Sequence, residues 1–169
     1  MSIRQATRQV VETNSKSDEH VVVFRLGTEA YAVDIGIVQE IVRMQPVTSI
    51  PDIGAEIAGV TTFRGRVIPV VDLRRACGMP CGETTPDSRM IVVSIDSEHA
   101  HGLIVDAVSE VLRIPASEIE PVTSVLEASR LVRGIAKLEH RLVALLDLNG
   151  VLPAAADSAD ADTEGELAA

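Results

Sequence analysis

The chain has 169 residues, of which 46% are hydrophobic and only 2% are aromatic. This length suits one ordinary domain or two very small ones, with a core built from Val, Ile, Leu and Ala, a composition that favours strands. The net charge of -10 argues against nucleic-acid binding, which needs clustered Lys and Arg. No apolar run approaches the roughly 18 residues of a spanning helix, and the N-terminus lacks the apolar core of a signal peptide. We therefore expect a cytosolic protein that does not insert into a membrane.

The two ends of the chain differ in composition from its middle. Residues 1–18 are polar and charged without a clean period, so we expect a flexible N-terminal arm. Residues 153–169 are small and acidic, which is the composition of a disordered tail. The folded part is expected over residues 19–152. Cys77 and Cys81 are too few for a secreted disulfide framework, so reduced thiols are expected.

Short segments rich in Val and Ile fill the middle of the chain, separated by turn signals at the spacing of an all-β sandwich or barrel. Strands are expected at residues 21–26, 29–35, 57–64, 67–73, 89–96, 100–114, 133–138 and 142–148. Short helical turns are expected at residues 35–41, 73–78 and near 148–152. The chain is therefore predicted to be all-β, without a helix long enough to pack.

An internal repeat links the two halves of this region. Val38, Glu40, Ile41, Arg43 and Pro51 recur 70 residues later as Val108, Glu110, Val111, Arg113 and Pro121. Gly59, Val60, Arg66, Asp72 and Leu73 recur 75 residues later as Gly134, Ile135, Arg141, Asp147 and Leu148. Matches in the same order predict a duplication, with approximate repeats 19–84 and 85–152. Each repeat would form a small barrel of about five strands, and two such barrels should pack together to complete a core.

The repeated frame is interrupted by different chemistry in its two copies. GVTTFRGRVIPVVDL at 59–73 contains Arg-Gly-Arg where GIAKLEHRLVALLDL at 134–148 contains Glu-His-Arg. If a buried strand follows, Arg64 and Gly65 lie in the turn before it, and Gly65 supplies a positive φ. A guanidinium on a rigid turn suits a protein interface, although a solvated surface charge is the alternative for Arg64.

Reactive centres find little support in the sequence. Cys77 and Cys81 are separated by three residues, where a zinc knuckle usually has two, and His99 and His101 are simply interpreted as exposed turn residues. Cys77 is expected to act as a small core residue. No nucleophile elbow, phosphate-binding loop or dinucleotide fingerprint is present. We expect no catalytic residue, no metal and no cofactor, and a small metal-binding or enzymatic barrel is the alternative from another class.

Two aspartates occupy equivalent places in the repeat. Asp72 and Asp147 each follow an expected buried strand and precede a Leu. Aspartate is a preferred residue immediately before a helical turn, because its carboxylate accepts from the free backbone N–H groups there. We therefore expect both to cap helical turns.

Three stretches in this order resemble the CheW family of chemotaxis coupling proteins over about residues 18–152. They are FRLGTEAYAVDIGIVQEIVR, IPDIGAEIAGVTTFRGRVIPVVDLR and GLIVDAVSEVLRI. The resemblance implies two small five-stranded Src-homology-3-like β-barrels packed around a shared hydrophobic interface. Thr62 and Phe63 depart from the family, which often has Asn and Leu at these places.

The resemblance also implies a function and a site. It implies a non-catalytic adaptor that joins the cytoplasmic hairpin of methyl-accepting chemoreceptors to the regulatory domain of the histidine kinase CheA. Contacts between copies of the protein, and recruitment from the cytoplasm to membrane-associated receptor arrays, are implied as well. A coupling protein of a non-flagellar array, with surface motility or a second messenger as its output, is the alternative. The receptor-binding residues carried over by position are Val38, Glu40, Arg64, Gly65, Ile91 and Val108.

Overall fold

The structure is a computed structural model that describes residues 18–80, 82–96, 98–121 and 131–152. The expected acidic tail, Cys81, and the expected N-terminal arm except for Asp18 lie outside the described residues. The strands in the described part are β1 (Glu19–Leu26), β2 (Glu29–Asp34), β3 (Val38–Arg43), β4 (Ile57–Phe63), β5 (Arg66–Asp72), β6 (Arg89–Val93), β7 (His101–Val105), β8 (Ala107–Ile114), β9 (Ile119–Pro121), β10 (Val132–Leu138) and β11 (Arg141–Leu146). A short helix α1 (Leu73–Ala76) and 3-10 turns at Ile35–Ile37, Ala116–Glu118 and Leu148–Gly150 complete them.

Two sheets account for the described strands. One sheet has the order β8-β1-β2-β11-β10-β9, and the other has the order β3-β6-β7-β5-β4. All neighbours are antiparallel except the pairs β2–β11 and β5–β7, which are parallel. Strands that match in the sequence repeat, such as β3 and β8 or β5 and β11, take equivalent places in the two sheets. The chain is therefore a doubled all-β structure.

The connection between the sheets differs from the division of the sequence repeats. The sheet β3-β6-β7-β5-β4 is one continuous piece of chain, whereas the other sheet takes β1 and β2 from before it and β8 to β11 from after it. We call the first the inserted barrel and the second the outer barrel. The chain enters the inserted barrel between Asp34 and Val38 and leaves it at Asp106.

The core has three parts because side chains alternate between the two faces of each strand. In β1, Val21 and Val23 belong to a cluster made only of outer-barrel residues. Phe24, on the opposite face, joins a larger cluster shared by both sheets. Val70, Met90 and Ile104 fill the corresponding interior of the inserted barrel. The shared cluster is the interface on which the two barrels pack.

The predicted fold class is confirmed: two small Src-homology-3-like barrels pack together, and the short β9 extends the outer one. The cap predictions for Asp72 and Asp147 are also confirmed, because their carboxylates accept from the backbone N–H of Arg74 and Asn149, each at 3.0 Å. Cys77 is partly buried against the shared core, as expected.

Two predicted elements need correction. The helical turn expected at residues 35–41 ends at Ile37, and the chain then continues as β3, which pairs with β6. The single strand expected at residues 100–114 is broken at Asp106 into β7 and β8, which belong to different sheets.

Candidate functional site

Arg64 and Gly65 form the two-residue turn between β4 and β5, above the cross-strand pair of Phe63 and Arg66. Both turn residues have positive φ, 52° at Arg64 and 80° at Gly65. Positive φ at both positions is what a type I′ hairpin turn requires. The conformation expected for Gly65 is confirmed. An arginine in this region is uncommon and costs on the order of 1 kcal/mol, so the hairpin holds Arg64 in a place it would not choose alone.

The guanidinium of Arg64 is fixed by two neighbours. Its Nε donates to Glu40 Oε1 at 3.2 Å, its Nη2 pairs with the same oxygen, and its Cζ lies 5.3 Å from the centre of the Phe63 ring. The Arg64 side chain nevertheless remains 72% exposed. An ion pair this exposed contributes at most about 1 kcal/mol to stability. Its main physical effect is to aim an accessible guanidinium in one direction.

The second repeat contains a related pair with a different origin. Glu110, the counterpart of Glu40, pairs with Arg141, which is the first residue of β11. Arg141 corresponds to Arg66, whereas the counterpart of Arg64 is the exposed Glu139. Both barrels therefore contain a Glu–Arg pair, but only the inserted barrel offers a guanidinium from the turn itself.

The apolar residues predicted for the site lie on another surface. A register shift in β3 between Val38 and Glu40 turns these two residues to different neighbours. Val38 and Val108 are partly buried against the shared core. Ile91 is 0% exposed within that core, so it cannot touch a partner directly in this conformation. The six predicted residues thus divide into the polar group Glu40, Arg64 and Gly65, the marginal pair Val38 and Val108, and the buried Ile91.

One buried charge cluster was missed by the sequence analysis. The Arg74 side chain is only 7% exposed; its Nε donates to Asp72 Oδ1 at 3.3 Å and its Nη1 to Asp106 Oδ1 at 3.2 Å. Asp106 also accepts from the backbone N–H of Gly27 at 2.6 Å. The cluster therefore joins the end of β5 to the β1–β2 turn of the outer barrel. A signal was present, because Arg74 is matched by Asn149 in the repeat.

The residues considered for metal binding have structural surroundings. Burial raises the pKa of the Cys77 thiol to about 11, so the thiol stays protonated at neutral pH. The Asp96 carboxylate accepts from the backbone N–H groups of Glu98 and His99, which lower its pKa, and it also pairs with His99 Nδ1 at 3.1 Å. His101, expected to be exposed, is instead buried at the start of β7.

No group of three or more His, Cys, Asp or Glu suited to a metal ion occurs in the described part of the chain. None of the helices described there has the length and apolar character needed to cross a membrane.

Comparisons with known proteins give the same picture as the fold. The family model described as a CheW-like domain matches residues 20–156. Chemotaxis protein CheW of Rhizobium meliloti is 35% identical over 136 residues, covering 79% of this chain and 86% of that protein. Chemotaxis protein CheW of Bacillus subtilis is 32% identical over 139 residues, covering 81% and 88%. Protein FrzA of Myxococcus xanthus is 28% identical over 116 residues, covering 69% and 72%.

A solved structure is similar over most of its length. The crystal structure of scaffolding protein TtCheW from Thermoanaerobacter tengcongensis matches with a TM-score of 0.74 at 36% identity, covering 82% of this chain and 94% of that one. Two packed barrels of this topology and the matching family model define the class, a CheW-like domain. The chain belongs to the CheW family of chemotaxis coupling proteins.

Proposed function

We propose that the chain is a cytoplasmic adaptor that joins chemoreceptor hairpin tips to the regulatory domain of the histidine kinase CheA at membrane-associated arrays, without a catalytic step. The chemotaxis names of its relatives support the pathway. The similar solved structure is that of a scaffolding protein, which supports a role in holding partners. The adaptor raises the local concentration of kinase at the receptor, as linked binding sites do.

The receptor surface is centred on Arg64, with Glu40 and Gly65 as its support. The observation that carries this assignment is the turn geometry: Arg64 is held at positive φ, paired with Glu40 and still exposed. Such a guanidinium presents fixed donors at a low additional entropy cost when a partner binds. Val38 and Val108 would supply apolar contact at the margin of the shared core, and Ile91 would support them from within.

The kinase surface is assigned to the exposed apolar residues that the repeat places on both barrels. Ile41 and Val111 are equivalent in the repeat, as are Val67 and Leu142, and all four are exposed. Exposed apolar residues at matching places suit contact between similar barrels. The family resemblance implies a homologous domain in the kinase, so a barrel-to-barrel contact would serve both the kinase and further copies of this chain.

Each contact is expected to bury on the order of 800 Å² per partner or less. Signal would pass as a change in how the kinase domain is held, through contacts that differ between two receptor states. A receptor shifts the kinase only by the difference in its interaction energy with those states.

The Arg64→Ala variant tests the receptor surface. We expect it to fold normally and to lose at least about tenfold in affinity for a receptor cytoplasmic fragment, because an aimed guanidinium at an interface contributes on the order of 1–2 kcal/mol or more. The measurement is a pull-down and titration with receptor fragment, and separately with the CheA regulatory domain. Arg141→Ala is the matched control, because it breaks the equivalent pair in the outer barrel. Unchanged receptor binding by the Arg64 variant would remove Arg64 from the site.

A second candidate is a coupling protein for a non-flagellar array. The observation in its favour is the similarity to Protein FrzA of Myxococcus xanthus, a relative with a different name. Deletion of the gene separates the candidates: loss of swimming chemotaxis supports the first, whereas altered surface motility or second-messenger level with normal swimming supports the second.

A further inference from the structure

Arg43 and Arg89 are directly opposite each other on the neighbouring antiparallel strands β3 and β6. The next pair inward, Val42 and Met90, packs inside the inserted barrel. Because side chains alternate along a strand, both arginines point to the outer face, beside the exposed Ile41. Like charges at directly opposite positions destabilise a sheet, so this pair is unfavourable unless an anion offsets it.

No carboxylate within the described residues neutralises this pair. Arg89 Nη1 donates to the backbone carbonyls of Pro86 and Ser88, each at 2.8 Å, and Arg43 makes no ion pair in that part of the chain. The Asp87 carboxylate, although close in sequence, forms no salt bridge with either arginine. The two carbonyls orient Arg89 and leave its remaining N–H groups for another acceptor.

The second repeat shows the same place in a neutralised form. Arg113, the counterpart of Arg43, is opposite His20 on β1, and the next pair inward is Leu112 and Val21. There the chain supplies its own anion, since Asp18 Oδ2 lies 2.8 Å from Arg113 Nε. The inserted barrel therefore lacks a carboxylate that the outer barrel has at the equivalent position.

Most other surface cations in the described part of the chain already have carboxylate partners. Arg64, Arg113, Arg133, Lys137 and Arg141 each pair with Asp or Glu. Arg25 and Arg66 donate to backbone carbonyls and stand apart from other cations in the strand register. The arginine pair of Arg43 and Arg89 is thus the place where a chain of net charge -10 leaves two cations side by side.

We propose that the arginine pair docks the acidic C-terminal segment of the same chain, residues 153–169, in a contact separate from receptor and kinase binding. This segment lies outside the described residues and contains no Lys or Arg. Its acidic residues are Asp157, Asp160, Asp162, Glu164 and Glu166. It follows Leu152, which packs on the shared core between the barrels.

Reach and concentration both favour this occupant over a free peptide. Seventeen residues can span up to about 55 Å, whereas a protein of this size has a radius of gyration of about 15 Å. A segment tethered to the same molecule has an effective concentration on the order of millimolar. Exposed ion pairs are individually weak and screened by salt, so the contact is a salt-sensitive latch that covers the outer face of β3 next to Ile41.

Zero-length carbodiimide crosslinking of the full chain tests the contact directly. An Arg43→Lys, Arg89→Lys variant supplies amines that couple to carboxylates in contact with them. We expect crosslinked peptides joining these two positions to residues 153–169 in the monomer, reduced at least about fivefold in roughly 0.5 M NaCl, where screening is strong. Arg66→Lys is the control, because that exposed cation should not crosslink to the segment. Absence of the crosslink, or equal yield from the Arg66 variant, overturns the proposal.

Charge exchange provides a second readout in the intact protein. Replacing the five acids of the segment by Asn or Gln should shift the Nε–Hε NMR signals of Arg43 and Arg89 and leave those of Arg25 and Arg66 unchanged. The Arg43→Glu, Arg89→Glu variant should lose the crosslink to the segment's Asp and Glu, and adding Asp160→Lys and Asp162→Lys should create a new one. If the arginine signals respond only to an added acidic receptor fragment, the occupant is that partner and the proposal is wrong. Failure of receptor binding by the Arg64 variant bears on the proposed function alone.

Discussion

The β4–β5 and β10–β11 hairpins are the same frame used in two ways. Each has a two-residue turn, with Phe63–Arg66 and Leu138–Arg141 as the closing pairs. In the outer barrel the first strand residue, Arg141, pairs with the glutamate, and in the inserted barrel the turn residue Arg64 does so. A Glu–Arg pair is therefore a common structural feature of the two barrels. What distinguishes the inserted barrel is the turn at positive φ, which carries the charge outward.

The largest effect is expected where the repeats differ in a buried charge. Arg74→Ala leaves the carboxylates of Asp72 and Asp106 without their cation, and breaking a buried ion pair costs about 3–5 kcal/mol of unfolding free energy. The matched Asn149→Ala removes one exposed side-chain hydrogen bond to Asp147 and should cost under about 1 kcal/mol. Urea unfolding measures both values. Equal losses would mean that the Arg74 cluster contributes no more than its counterpart.

The paired glycines of the two frames should also differ in sensitivity. A Cβ on Gly59, whose φ is 151°, would lie 2.0 Å from the backbone oxygen of Thr48, which forms a two-bond bridge with Val60. We expect Gly59→Ala to cost about 3 kcal/mol by expelling this segment. Gly134→Ala places its Cβ 3.1 Å from Glu120 O and should cost about 1 kcal/mol. Thermal unfolding of the two variants checks the order, and the reverse order would contradict it.

The turn itself provides a smaller and more specific comparison. Gly65→Ala forces an alanine to a φ of 80° and should cost about 1–2 kcal/mol, while tilting the Arg64 guanidinium away from Glu40. We therefore expect weaker receptor binding together with the stability loss. His140→Ala changes an exposed turn residue of the outer barrel and should leave both unchanged. Normal receptor affinity in a destabilised Gly65 variant would mean that turn geometry does not aim Arg64.

The smallest effect is expected at Cys77, whose counterpart in the repeat is Leu152; both pack on the shared core. Burial raises the pKa of Cys77 from 9.0 to about 11, so the folded state favours the protonated thiol. This contribution to stability is complete below pH 9 and is lost as the pH rises towards 11. Cys77→Val should remain folded and lose this part of the alkaline decline. Identical pH curves for the two proteins would contradict the burial effect.

Local chemistry was readable from the sequence, whereas long-range pairing was not. The turn at Gly65 and the caps at Asp72 and Asp147 depend on neighbouring residues, and these predictions are confirmed. The break at Asp106 depends on Gly27 and Arg74, which are 79 and 32 residues away, so the apolar run across it looked like one strand. Residues 38–41 looked helical because their pairing with β6 is equally remote.

The candidate site shows the same division. Arg64 could be singled out because its counterpart is Glu139, but its partner Glu40 is 24 residues away and was placed only by the family resemblance. Ile91 resembled an interface residue because β-branched side chains serve cores and interfaces alike, and the structure places it in the shared core. The continuous course of the inserted barrel could not be seen either, because the repeat favoured one barrel for each half of the sequence.

The inserted barrel is attached to its host by two short crossings, one entering at residues 34–38 and one leaving at Asp106. The exit crossing is pinned by the guanidinium of Arg74. The entry crossing runs straight into Val38 and Glu40. A receptor that grips β3 would therefore take hold of the strap by which one barrel hangs from the other, and a tug there would be felt by the whole molecule.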